Sequence, residues 1–530
     1  ADHPRLQALG ARLGDGRALQ ADRVAVAVGE ELAGLMARHA ERTDATRYDR
    51  ELEVVADREA ARFAAWYEMF PRSQGAVPGR GGTFDDCIAR LDDIRAMGFD
   101  VVYLPPIHPI GRTKRKGRNN VLQAGPADPG SPWAIGNEHG GHEAVDPSLG
   151  TLADFRRFVA AAGARGMEVA LDYALQCSPD HPWVREHPEW FHHRPDGSIK
   201  YAENPPKKYE DIYPINFDTE DREGLWRGLL GVVEFWIGQG VRTFRVDNPH
   251  TKPLPFWRWL IETVQADHPD VVFLAEAFTR PKMMRALAKI GYTQSYTYFT
   301  WRTTKQELTD YLTELTRTEA REYMRGNFFA NTPDILSPYL QQGGRPAFKI
   351  RVTLAATLSP LYGIYSGFEL CENQAVAGTE EYADSEKYEI RVRDWDAPGN
   401  IKPYITRLNA LRRAHPALRR YAGLEFFDAD DAAVLFYGKM DSSRQDVVLV
   451  AVSLDPAGVR ECRLRLPLER IGIGPDEPYR VVDLLRDTEH EGRGPDYRVR
   501  LDAGAEPAYI FSLRRGISES GQDGFLDSPG

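Results

Sequence analysis

Gly240-Val-Arg-Thr-Phe-Arg-Val-Asp-Asn-Pro-His-Thr251 puts a charged pair, Arg245 and Asp247, into what otherwise reads as a buried strand. Val241, Thr243 and Val246 favour extended backbone. An amphipathic helix pattern precedes them (Leu225, Leu229, Val232, Val233, Phe235, Trp236, Ile237) and is closed by Gly238 and Gly240. Helix followed by buried strand is half of a βαβ unit. In a parallel barrel such a strand is covered on both faces, and only its C-terminal end meets solvent and substrate. Asp247, followed by the break at Asn248-Pro249, sits at that end.

Outward from this stretch the pattern recurs. Beyond another helix pattern over 256–265, Val271-Val-Phe-Leu-Ala-Glu276-Ala277 is an apolar strand ending in one carboxylate. Asn327-Phe-Phe-Ala-Asn-Thr-Pro-Asp334 is a further case, with a polar turn before its acid. A lone Asp after a strand is ordinarily a helix N-cap. Three such acids on what read as successive strands, one of them two residues after an Arg, predict convergence over a barrel mouth. A buried guanidinium needs a carboxylate partner.

Upstream, a helix pattern over 84–97 leads into a strand at 101–107, and another over 152–164 leads into one at 168–173. With a strand from Ala65 and others near 243, 271, 295, 327 and 361, the count reaches eight βα repeats. That predicts an α/β fold, a (β/α)8 TIM barrel, over 63–416. It is interrupted by long insertions at about 105–151 and 177–220. Following strands two and three, the insertions belong on the catalytic face, and loops of this length are usually functional. The second carries Trp183, Trp190, Phe191, Tyr201, Tyr209 and Tyr213, which read either as platforms for pyranose rings or as loop packing.

Residues 1–62 read as a helical module for packing or assembly, with Leu32, Leu35, Met36, Val54 and Val55 at helical spacing. After 416 the helices stop. Short β-rich segments at 433–437, 447–453, 462–466, 479–484, 497–501 and 508–513 predict a separate C-terminal antiparallel β-sandwich over 417–515. The Gly-, Ser- and Asp-containing end, 516–530, is expected to be a disordered tail.

The chain has 530 residues, 42% hydrophobic and 27% charged, an ordinary globular composition. A net charge of −11 and a pI near 5.7 argue against a nucleic-acid surface. Cys87, Cys177, Cys371 and Cys462 form no CxxC pair, giving neither a disulfide framework nor a zinc knuckle, and fit a reducing cytosol. No apolar run approaches the roughly 20 residues that cross a bilayer, and the first residues lack a signal-peptide core. The expectation is a soluble, cytoplasmic protein with no membrane or nucleic-acid partner.

Three converging carboxylates could bind a metal. Oxygen-ligand sites, however, cluster their acids within one loop, and no His or Cys set accompanies these, so neither metal nor cofactor is expected. Glycosyl transfer suits them better. Retaining transfer at an anomeric carbon needs a carboxylate nucleophile and a second carboxyl, about 5–5.5 Å away, as acid and then base. Asp247 beside Arg245 should stay ionised and act as nucleophile. Glu276 on its apolar strand is the better proton donor, and Asp334 would hold sugar hydroxyls and stabilise the transition state.

Phe244-Arg-Val-Asp247, Leu274-Ala-Glu276 and Asn331-Thr-Pro-Asp334, with Asp172 after the third strand, resemble the four motif regions of the α-amylase superfamily, glycoside hydrolase family 13. Amylases usually end the first region in Asn-His, where Gln176-Cys177 stand here, and the fourth region lacks its usual His. These departures turn the reading away from a simple starch hydrolase. The segments 171–181, 245–252 and Ser385-Glu-Lys-Tyr-Glu389 resemble the α-1,4-glucan:maltose-1-phosphate maltosyltransferases, a similarity running from near residue 1 to about 515.

That resemblance implies a helical module, a barrel with insertions and a C-terminal β domain. The family's N-terminal β-sandwich is missing from these residues, and family members are homodimers. It implies α-maltose 1-phosphate as donor and an α-1,4-glucan as acceptor. Asn204, Lys207, Tyr209 and Asn248 would face the phosphate, while Lys116, Gln176, Asp211, Lys387 and Tyr388, together with Arg245, would hold the maltosyl unit. The stretch from Tyr201 to Asp211 is rich enough in donors to grip an anion, although Lys207-Lys208 alone would read as a solvated charge pair. The implied reaction passes through a β-maltosyl ester on Asp247, with Glu276 then deprotonating the 4-hydroxyl at the acceptor's non-reducing end. An α-glucan hydrolase or a trehalose-forming isomerase of the same superfamily would need no phosphate. A non-catalytic carbohydrate-binding protein would be expected to lose the acids, and a maltose-1-phosphate-forming kinase is disfavoured because no GxxxxGK loop is present.

Overall fold

The computed structural model describes residues 2–515 without 42, 44, 47, 52, 53, 205 and 206, and at 204 the backbone only. The tail expected at 516–530 lies outside the described residues. Two compact units divide the chain between Ala56 and Asp57. The first carries three helices, α1 (His3–Gly14), α2 (Gln20–Ala27) and α3 (Glu30–His39). Val54 and Val55, expected on a helix, lie instead in irregular backbone with exposed side chains. The polar run at 41–51 offers no apolar face on which a helix could continue.

The second unit is built on eight parallel strands. They are β1 (Ala64–Glu68), β2 (Val101–Leu104), β3 (Glu168–Tyr173), β4 (Thr243–Val246), β5 (Val272–Ala275), β6 (Gln294–Tyr296), β7 (Gly326–Phe329) and β8 (Leu361–Tyr365). They pair in chain order, and β8 closes back on β1. Around them run α4 (Phe84–Ala96), α5 (Leu152–Ala164), α6 (Pro182–Glu186), α7 (Arg222–Gly238), α8 (Leu254–Asp267), α9 (Pro281–Lys289), α10 (Lys305–Arg317), α11 (Pro338–Leu358) and α12 (Lys402–Ala414). Capping boxes start three of them. Thr83, Thr151 and Thr304 accept from the backbone N–H of Asp86, Asp154 and Glu307, and each acid returns a bond to the threonine N–H.

Period-two alternation decides what fills the barrel. Trp66, Tyr103, Leu274, Tyr296 and Phe329 form a buried inner layer. β8 places Gly363 there, where a Cβ would lie 2.5 Å from the Phe329 ring, so only glycine lets that ring in. Above this layer the interior turns polar, with Glu68, Asp172 and Arg245 all buried. Asp172 lies within β3 rather than after it, in register with Arg245 of β4.

The C-terminal strands are β9 (Leu424–Phe427), β10 (Val434–Met440), β11 (Val447–Ser453), β12 (Val459–Arg465), β13 (Pro478–Asp483), β14 (Thr488–Arg493), β15 (Asp496–Asp502) and β16 (Ala508–Arg515), with a short helix α13 (Leu468–Ile471). Six form one antiparallel sheet in the order β9-β10-β11-β16-β13-β14, and β12 pairs with β15. Val434, Phe436, Leu449, Leu464, Leu501 and Phe511 fill the space between the two layers. The sheet's other face, through Leu435, Tyr437, Val448, Val450 and Ile510, shares one apolar core with the barrel. The two are therefore not separate bodies. No helix among the described residues is long and apolar enough to cross a membrane.

Candidate active site

Arg245 is the hub of the barrel mouth. One guanidinium nitrogen donates to Asp172 Oδ2 at 2.8 Å and Asp247 Oδ1 at 3.0 Å; the other reaches Glu276 Oε1 at 2.7 Å. Tyr103 and Tyr296 place their rings within 6 Å of the same guanidinium, and Tyr103 Oη donates to Asp172 at 2.5 Å. Local structure dictates this arrangement. Arg245 and Asp247 are two residues apart and so share the inward face of β4, while Glu276 is the first residue past β5.

The environments of the acids drive their proton affinities apart. Burial would raise Asp247, but Arg245 first and Lys252 second outweigh it and hold its carboxyl below the ordinary range. Glu276 is pushed well above that range by burial, with Asp247, Asp334 and Asp172 adding like charge against the pull of Arg245. Asp172, shut deepest, is raised by burial to about 7. Two adjacent carboxyls, one held ionised and one held protonated, make a nucleophile and an acid.

A rigid turn fixes Asp247. Asn248 takes the left-handed conformation, φ 43°, which asparagine tolerates, and its N–H donates to Glu276 Oε2 at 3.3 Å. The Lys252 ammonium donates to the carbonyls of Asp247 and Asn248 at 3.1 and 3.2 Å, and Trp257 Nε1 holds the Pro249 carbonyl at 2.9 Å. Asp334 stands on the turn after β7, whose Asn331 is clamped to Tyr382 Oη and to the Tyr365 backbone. It forms an ion pair with half-buried Lys387, whose ammonium also lies 5.4 Å from the Trp133 ring.

The expected acids do not follow successive strands. β6 intervenes between Glu276 and Asp334, because β6 ends in Tyr296, which stacks on Phe329 at 4.5 Å and serves the inner layer.

A cavity of about 780 Å³ opens above Asp247, Glu276 and Asp334. Gln176, Lys207, Tyr209, Asp211, Asn248, Lys387 and Tyr388 all line its wall. The fold thus brings together most of the residues singled out from sequence. Asp211 Oδ2 is buried without a partner, and burial raises this carboxyl to about 6. Lys207 sits on the hairpin formed by Ala202–Asn204 and Lys207–Tyr209, exposed and paired with Glu381. Lys116 is not on the cavity wall; it is buried, paired with Glu210 and 3.5 Å from the Lys208 carbonyl. Arg245 lies beneath the floor, and the side chain of Asn204 lies outside the described residues.

Most aromatics of the second insertion pack on one another. Trp190 stacks on His187 at 3.9 Å, Trp183 on His142 at 5.1 Å, and Arg194 covers Tyr201. Of those named from sequence, Tyr209 alone lines the cavity. The other aromatic walls are Trp133, Phe278, Trp301 and Tyr388.

Sequence reasoning also missed Glu68, a buried carboxyl with Oε2 unpartnered, raised well above the ordinary range by burial. It is the last residue of β1, one position earlier relative to its strand than Glu276, so a similar strand-then-acid signal was present. Lys252, five residues past Asp247, carried no such signal.

The fold does bring a His/Cys set together: His142, Cys177 and His181, all buried. Hydrogen bonds commit its imidazoles. His142 Nε2 faces the Ala174 carbonyl at 2.9 Å and so carries the proton, leaving Nδ1 to accept from His181 Nε2 at 3.1 Å. His181 Nδ1 accepts from the Trp183 N–H at 3.0 Å. With that tautomer pattern His181 has no free lone pair for a cation.

The alpha amylase catalytic-domain family model matches residues 66–343, and the model described as GLGE, C-terminal, matches 426–513. An alpha-1,4-glucan:maltose-1-phosphate maltosyltransferase of Rhodospirillum rubrum is 59% identical over 93% of this chain and 71% of its own length. Proteins of the same name from Myxococcus xanthus and Pseudomonas aeruginosa are 56% and 55% identical, covering 93% and 88% of this chain and 74% and 70% of their own. Among solved structures, an alpha-amylase from Lactobacillus plantarum superposes with a TM-score of 0.64 at 22% identity, over 86% of this chain and 99% of that one. A mutant isomaltulose synthase from Erwinia rhapontici does so at 0.64 and 16%, over 85% and 98%. These two likenesses establish the fold.

Proposed function

The chain belongs to the α-1,4-glucan:maltose-1-phosphate maltosyltransferase family, and from that premise we propose that it moves a maltosyl unit from α-maltose 1-phosphate to an α-1,4-glucan with retention of configuration. The observation that carries the reading is the Arg245 hub, which holds Asp247 ionised beside a protonated Glu276 at the floor of the cavity.

A carboxylate oxygen of Asp247 attacks the anomeric carbon. The bond from that carbon to the phosphate oxygen breaks, and phosphate leaves with the electron pair and a proton from Glu276. Lys207, Tyr209 and Asn248 on the cavity wall receive the phosphate, with Asn204 expected beside Lys207; Lys387 and Tyr388 hold the sugar. The acceptor's 4-hydroxyl then gives its proton to the Glu276 carboxylate as its oxygen displaces Asp247. Two inversions give net retention. Water is the competing acceptor, and Trp133, Phe278 and Trp301 supply the apolar wall that limits it.

Phosphate release from α-maltose 1-phosphate, with and without maltohexaose, tests the reading. Acceptor-dependent release and glucans longer by two glucose units are expected, and Asp247→Ala should abolish both. Free maltose as the product would make the protein a hydrolase, and full activity in Asp247→Ala would remove that residue from the role.

A further inference from the structure

A second aromatic surface lies outside the barrel mouth. Trp226 is in the second turn of α7 and Trp259 in the second turn of α8, and their rings lie 5.1 Å apart at 39°. Phe256 supports Trp226 edge-on at 5.4 Å. Both indoles are half-buried, and they form the floor of an open cavity of about 670 Å³. Glu220, Arg222, Glu223 and Arg227 stand around it, all exposed, and Glu223 and Arg227 pair at 2.6 Å.

Two indole faces flanked by carboxylates and guanidiniums match the chemistry of a pyranose ring. The ring offers an apolar C–H face for stacking and an edge of hydroxyls that charged groups hydrogen-bond. We propose that Trp226 and Trp259 form a binding platform for the distal part of an α-1,4-glucan whose non-reducing end lies in the active-site cavity. This rests on the maltosyltransfer reading for the identity of the glucan.

Position supports it. In a βα barrel each helix starts at the catalytic rim and runs down the outer wall. His250 and Thr251 line the active-site cavity, and α8 begins three residues later at Leu254. On the other side Pro214 and Ile215 line the cavity, and Thr219 already lines the platform. Phe217 lies between, packed on Phe256 at 5.0 Å. The platform is thus the wall directly below one lip of the site, where an acceptor too long for the cavity would lie. On this proposal a short acceptor does not extend to it.

Full-length wild type, Trp259→Ala and Trp259→Phe should be compared by migration in native gels containing soluble amylopectin and by phosphate release with maltotetraose or amylopectin as acceptor. Trp259→Ala should weaken retention by amylopectin and raise its KM by about tenfold, the loss of one stacking surface. Trp259→Phe should recover part of both, and rates with maltotetraose should stay at wild-type level. A double change at the polar rim, Glu220→Ala with Arg222→Ala, leaves the indoles in place and should also weaken retention. Unchanged retention and KM in a Trp259→Ala protein with wild-type circular dichroism would overturn the platform. A wild type that releases no phosphate but is retained, with retention lost in Trp259→Ala, would overturn the transfer reading and leave the platform standing.

Discussion

Arg245 is buried among the three carboxylates it binds, so its charge is felt at close range and with little screening. It stabilises the ionised form of Asp247, with Lys252 assisting, whereas at Glu276 burial and the acidic neighbours outweigh its pull. The pH dependence follows with its sign. The proposed mechanism needs Asp247 deprotonated and Glu276 protonated, so the acid limb of kcat/KM should lie below the ordinary carboxylate range. The alkaline limb should lie well above it. Lys252 is the second cation acting on Asp247 and touches it only through backbone carbonyls. Lys252 also faces Glu276, though less strongly than Asp247, so Lys252→Met should move both limbs upward, the acid limb further. A profile from phosphate release in which neither limb shifts, or the alkaline limb moves further than the acid limb, would contradict this division of roles.

At the scale of the element, the proposed reaction assigns donor recognition to the hairpin of Ala202–Asn204 and Lys207–Tyr209. It is a two-stranded ribbon with exposed lysines, and Lys207 rests on Glu381. A phosphate dianion would compete with that carboxylate, so Lys207 should contribute binding and little to the chemical step. Lys207→Ala is expected to raise KM for α-maltose 1-phosphate by about tenfold, with kcat nearly unchanged, as loss of one charge-assisted contact implies. Added salt should raise the wild-type KM more than the variant's; equal salt dependence would sink the assignment. The partner Glu381 was not legible in the sequence, since it comes from a distant loop that only the closed barrel brings near. The strands and most helices were legible because burial on both faces of a parallel barrel leaves continuous apolar runs, and T-x-x-[D/E] marks helix starts. β14 was not: Thr488–Arg493 is a polar, mostly exposed strand at the sheet's edge, with no alternation to read. The acids were legible as strand-end exceptions. Their convergence required Arg245, whose register opposite Asp172 no single segment displays.

At the scale of the whole molecule, the C-terminal sheet and the barrel share a core, and polar groups caught in that seam must find partners there. Lys439 on β10 faces the barrel together with Leu435 and Tyr437 and is fully buried. Its ammonium donates to the Arg420 carbonyl and, at 3.5 Å, to the Leu358 carbonyl at the end of α11. Arg412 holds neighbouring carbonyls of the same turn, at Ala356 and Ser359. Two cations thus satisfy one helix terminus, which leaves carbonyls unpaired by geometry. No carboxylate neutralises Lys439 among the described residues, and burial, with Arg412 adding like charge, lowers its pKa to about 7. The unfolded chain, with an ordinary lysine pKa, binds that proton more tightly than the folded one between about 7 and that ordinary value. Lysine's contribution to stability is therefore fully present above the unfolded value and is lost as pH falls toward 7. Lys439→Met has no such slope, though it leaves two carbonyls unpaired at a cost of about 1–3 kcal/mol each. The Tm of wild type minus that of Lys439→Met should be nearly level below about pH 7 and grow from there to about pH 9, inside the window these values set. Parallel Tm curves would mean that the seam holds Lys439 charged at every pH, with its two carbonyls enough to offset burial.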